Sequence, residues 1–133
     1  MNKLLARAEP FTYQLLRIAV GLLFAFHGAQ KLFGLFGGQR VALISQFGAA
    51  GVIELVGGLL IALGLGTVYA AFLASGTMAV AYTQFHWKLQ MGEAFFPAVN
   101  KGELAVVYCF LFFYFACRGG GRYSLDAALK RRG

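Results

Sequence analysis

Six ionisable side chains stand inside otherwise apolar stretches of this sequence: Arg17, His27, Lys31, Glu54, His86 and Glu103. An ionisable group on a helix surrounded by hydrocarbon is costly, so it turns inward, finds a partner and commonly marks a ligand or proton site. Glu54 and His27 are the most telling. Neither side chain reaches far, and each sits in apolar sequence, Val52-Ile53-Glu54-Leu55-Val56 and Phe24-Ala25-Phe26-His27. Acid, base and cation grouped beside an aromatic ring suit a ligand that exchanges protons as it reacts.

The others have plainer alternatives. Lys31 can snorkel to an interface, Glu103 can serve as a carboxylate favoured at a helix N-terminus, and His86 beside Trp87 can be an interfacial residue. Arg17 reads as structural, anchoring the inner interface or pairing with a carboxylate such as Asp126. Glu54 is ionised if Lys31 is its neighbour and protonated in an apolar pocket, and the sequence leaves both open.

The elements that position these groups follow from composition. Of 133 residues 59% are hydrophobic and 13% charged, a balance that belongs in a bilayer rather than in a wetted soluble domain. At about 20 residues per span, the chain holds four helices and little else. The expected architecture is all-α: one membrane domain over 1–133, a four-helix transmembrane bundle. Its spans cover about 11–36, 48–65, 67–86 and 102–118, with a basic tail over 119–133. Pro10 is placed at the start of the first span, Gly64 and Gly66 close the second into a tight turn, and Ser124 is a cap for a short C-terminal helix. The N-terminal stretch is read as a retained helix rather than a signal peptide. Arg17 interrupts it, and Phe26-His27-Gly28 lacks the small residues of a processing site.

The net charge of +7 is not a nucleic-acid signal. Lys3, Arg7, Arg118, Arg122, Lys130, Arg131 and Arg132 fall on the side holding both termini, against Arg40, Lys88 and Lys101 on the other. Both termini are therefore expected in the cytoplasm of a bacterium, in a multi-pass inner-membrane protein. The basic ends are placed to hold anionic lipid head groups. In that orientation His27, Lys31, Glu54, His86 and Glu103 all converge on the outer half of the bundle. On the first span, Arg17, Gly21, Phe24, His27, Gly28 and Lys31 share a stripe about 120° wide, as a bundle-facing surface requires. Small residues at packing spacing, Gly21 and Ala25, Ala70 and Ala74, Ala71 and Ser75, point to close helix contacts. Cys109 and Cys117 are separated by about 12 Å along one helix, which excludes a disulfide between them.

Several segments resemble the DoxX family in order along the chain. They are Arg17 followed by His27-Gly28-Ala29-Gln30-Lys31-Leu32, then Glu54-Leu55-Val56-Gly57-Gly58-Leu59 and Leu63-Gly64-Leu65. Asn100-Lys101-Gly102-Glu103-Leu104-Ala105 and Gly119-Gly120-Gly121-Arg122-Tyr123-Ser124-Leu125-Asp126 complete the set. Gly120 stands where the family often has proline. The resemblance implies a four-helix membrane fold and an association with redox metabolism, through relatives that are membrane subunits of thiosulfate:quinone oxidoreductases and of oxidative-stress complexes. Fold kinship transfers no activity by itself.

The leading functional expectation is a redox-linked subunit, not necessarily catalytic, that offers a quinone or similar lipophile an outer-half pocket. His27, Lys31, Glu54, His86 and Glu103 would line it, with Phe24 or Phe26 against the ring. No flavin or nucleotide fingerprint and no iron–sulfur cysteine set is present, so electrons would come from a soluble or membrane partner. A homo-oligomer is the other expected assembly. No metal or covalent cofactor is expected, and haem between His27 and His86 is not favoured, since ligand types alone make no site. The alternatives are a small-solute or proton-linked transporter, for which polar residues should continue through the inner half, and a membrane scaffold without its own ligand.

Overall fold

The structure is a computed structural model that describes residues 2–132, with side chains from Lys3 onward. Among them it contains helices, turns and loops and no strand. Helix α1 runs Asn2–Phe33 and carries Pro10 inside it, not at its start as expected. A proline within a helix frees the carbonyl four residues back. That residue is Ala6, which is exposed, so polar surroundings can satisfy it and the helix continues.

Helix α2, Gln46–Leu63, begins two residues before the expected position. Ser45 caps it, accepting a hydrogen bond from Gly48 N at 3.0 Å. The helix is interrupted by a π turn over Ile53–Gly57. Gly64 and Gly66 both adopt left-handed backbone, φ +72° and +58°, which a side chain would resist. They reverse the chain into α3, residues 67–87, α-helical over Thr67–Ala81 and π-helical over Tyr82–Trp87. A loop with a helical turn at Pro97–Asn100 leads to α4, Glu103–Arg118. The short α5, Leu125–Lys130, starts at Ser124, whose side chain accepts from Ala127 N as the sequence suggests. Among the described residues two segments, Lys3–Phe33 and Gln46–Leu63, are long and apolar enough to cross a membrane.

Helices α1 and α2 pack almost backbone to backbone. A Cβ on Gly28 would lie 2.3 Å from Leu55 N, and one on Gly58 would lie 2.5 Å from Gly21 O. Only glycine permits that approach, which is how apolar helices gain contact where lipid offers no hydrophobic drive. Helix α3 packs on α4, with its small residues Ala70, Ala71, Ala74 and Ser75 all buried and Ser75 Oγ donating to Cys109 O at 2.8 Å. Aromatic rings bridge α1 to α4: Phe24 to Phe112 at 4.6 Å and Tyr13 to Phe115 at 5.6 Å. The middle of the molecule is thus filled by Phe24, Ile61, Phe112 and Phe115.

The opposite end from the His27–Glu54 region is held by two charged hubs, one buried and one partly exposed. The Arg17 guanidinium, almost without exposure, donates to the carbonyls of Ile61, Ala62 (2.9 Å) and Tyr123 (3.0 Å). It thereby binds carbonyls of the last turn of α2, where a cation is also favoured. Asp126 accepts from Gly66 N at 2.8 Å and Thr67 N at 3.1 Å, capping α3 from the tail. Pairing of Arg17 with Asp126 is therefore corrected: each binds backbone at a helix end, because unpaired termini compete better for these charges than the side chains do for each other. Burial pushes the Asp126 carboxyl up, but hydrogen bonds from Gly66 and Thr67 and the charge of Lys130 together hold the group below its ordinary value.

Candidate ligand site at the Lys31–Glu54 pair

On α1, Phe24, His27 and Lys31 recur at three- and four-residue spacing and so share one side of the helix. Phe24 is buried against Tyr108 and Phe112. Lys31, two turns on from Phe24, is partly open. His27 lies at the edge of the stripe and is exposed rather than bundle-facing, which places it on a rim. Phe26 points elsewhere and packs on Phe36 at 5.1 Å, so of the two phenylalanines only Phe24 is in the site.

Glu54 enters from α2, on its π turn, and is 2% exposed. π turns are rare and tend to occur at functional positions, since the extra residue re-aims a side chain. Lys31 Nζ lies 2.5 Å from Glu54 Oε1, while Oε2 has no hydrogen-bond partner among the described residues. Of the two protonation states left open above, the contact with Lys31 corresponds to the ion pair.

His86 arrives on the second π turn, at the end of α3, with Nδ1 3.2 Å from the Asn100 carbonyl oxygen. Asn100 ties that loop together: its Nδ2 donates to Ala94 O and its Oδ1 accepts from Gly102 N. Phe24, His27, Lys31, Glu54 and His86 line one cavity of about 220 Å³ together with Lys101 and Tyr108. Five of the six residues expected to bind a ligand are thus brought to one place by three helices.

Glu103 is not among them. It is exposed at the start of α4, where the helix dipole favours a carboxylate. The physical reason is rotation. Ala105, Tyr108, Phe112 and Phe115 form the buried face of α4, and Glu103 stands about 200° from Ala105 at 100° per residue. The same count identifies Tyr108 as the inward residue, a signal present in the sequence. Lys101 precedes the helix in left-handed backbone, φ +60°, which periodicity does not reveal.

The cavity is lined by a carboxylate with one unpartnered, buried oxygen, two ammonium groups, two imidazoles, a phenol and an aromatic wall. Such a set can hold a small polar ring and pass protons to and from it.

The DoxX family profile matches residues 13–87, the stretch that supplies Phe24, His27, Lys31, Glu54 and His86. An uncharacterized protein of Haemophilus influenzae is 41% identical over 130 residues, covering 95% of this chain and 96% of the relative. No solved structure matches. With its profile spanning more than half the sequence and this relative spanning nearly all of it, the chain belongs to the DoxX family of membrane proteins.

Proposed function

We propose that the protein is a four-span inner-membrane subunit, with both termini in the cytoplasm, that binds a quinone or a similar lipophile in the outer half of its bundle. The observation that carries this reading is the buried Glu54 carboxylate, paired with Lys31 on one oxygen and unpartnered on the other, inside a cavity with two histidines. Quinone reduction takes up protons together with electrons, so the ligand needs acid and base groups beside an apolar slot. Electrons come from a partner.

The inner half supports binding over transport. A water-filled path needs polar groups in sequence across the membrane, yet Ile61, Phe112 and Phe115 have no exposure there and Arg17 is committed to backbone carbonyls. The orientation rests on the basic residues gathered at the chain ends.

The test is mass spectrometry of organic extracts from detergent-purified wild type and from His27→Ala and Glu54→Gln variants. Quinone enriched over bulk lipid in wild type, and lost in folded variants, is expected. Absence of enrichment in wild type would turn the reading towards a scaffold.

A further inference from the structure

The Lys31–Glu54 pair forms part of the wall of two cavities. One is the polar cavity with His27 and His86. The other is an apolar groove of about 390 Å³ between α2 and α3, lined by Phe47, Ile53, Phe72, Gly76, Val80 and Phe85 as well as Lys31 and Glu54. Phe47, Phe72, Val80 and Phe85 are among the exposed large hydrophobics, so in a bilayer this groove faces acyl chains. Gly76 keeps it open, since a Cβ there would meet nothing within 4 Å.

We propose that the groove is a lateral entrance for an amphiphile with a hydroxyl-bearing ring and one apolar tail, bound in its reduced, quinol-like form. This rests on the function proposed above. The tail lies along Phe47, Phe72 and Gly76, and the ring hydroxyl donates to Glu54 Oε2. Three features select this occupant. Glu54 Oε2 is buried without a partner, and an ionised carboxylate only accepts hydrogen bonds, so the head must carry a donor. The carboxylate is already neutralised by Lys31 at 2.5 Å, so a charged head gains little. The remaining N–H donors of Lys31 are free to serve a second oxygen on the ring. A quinone carbonyl, an acceptor alone, uses Lys31 but leaves Oε2 unpaired.

The experiment measures binding of decyl-hydroquinone, kept reduced under anaerobic conditions, and of its dimethyl ether to purified wild type and a Gly76→Leu variant. Gly76→Leu leaves the helix intact and fills the groove, and a melting temperature no lower than wild type confirms that it is folded. Wild type is expected to bind the hydroquinone at least about tenfold more tightly than the ether, the loss for one hydrogen bond to a charged acceptor. Gly76→Leu is expected to weaken the hydroquinone by a similar factor. Hydroquinone binding that is indifferent to methylation or to Gly76→Leu overturns the groove while leaving the quinone reading standing. Failure of wild type to bind either compound overturns both.

Discussion

Lys31 on α1 and Glu54 on the π turn of α2 form an asymmetric pair: the side chains are 31% and 3% exposed. The two partners are therefore unequal when one is removed. Lys31→Met strands a buried carboxylate and should cost about 3 kcal/mol, the low end for breaking a buried pair because Lys31 is partly open. Glu54→Gln leaves a lysine that can reach polar surroundings and should cost less. The double variant should recover part of the loss, with a coupling of about 1–3 kcal/mol. Reversible unfolding in detergent measures all four proteins, and an additive cycle would show that the pair contributes nothing.

Arg17 holds three carbonyls from α2 and the tail with a planar fork. Lysine has the charge without the fork. Arg17→Lys is expected to lose at least one charge-assisted bond, about 1.5–3 kcal/mol, and to loosen the tail. Hydrogen exchange at residues 60–66 and 123–130 should rise in this variant. Unchanged exchange in both segments would contradict the hub.

Asp126 sets a pH dependence. Burial raises its carboxyl, but hydrogen bonds from Gly66 and Thr67 and the charge of Lys130 together hold it below the ordinary value of 3.8. A group depressed in the folded state stabilises above its unfolded pKa, and that stabilisation is lost as pH falls through the lower, folded value. Melting temperature in wild type should therefore fall below about pH 4. Asp126→Asn should start lower at neutral pH and show a flatter acid limb. Parallel acid limbs would place the acid sensitivity elsewhere.

Much of the site was legible because the first span carries its polar residues at helical spacing. Phe24, His27 and Lys31 fall on one stripe whatever the loops do. Glu54 and His86 were found by chemistry, as charges that apolar sequence does not tolerate. The π turns that carry them leave no periodic signature, so their aim was not readable. Depth along the chain groups Glu103 with the others, but rotation on α4 turns it outward, since Ala105, Tyr108, Phe112 and Phe115 form the buried face. The ends of the molecule were harder: Arg17 and Asp126 both bind backbone, and a helix terminus has no residue identity to pair with in a sequence.

The proposed orientation predicts a labelling pattern. Against a Cys109→Ser, Cys117→Ser background, a cysteine at Gln90, exposed in the loop before α4, should react with an impermeant maleimide in spheroplasts. One at Arg132 should react only after lysis. The reverse pattern would invert the topology and put the Lys31–Glu54 site on the cytoplasmic side.

The most direct test of the central claim is photolabelling in native membranes with a diazirine-bearing quinone analogue, mapped by tandem mass spectrometry. Adducts are expected on peptides containing residues 24–31, 46–54 and 76–86, competed away by excess quinone and reduced in Glu54→Gln. Adducts spread over the lipid-exposed faces of all helices, without competition, would show that no quinone site exists at the Lys31–Glu54 pair.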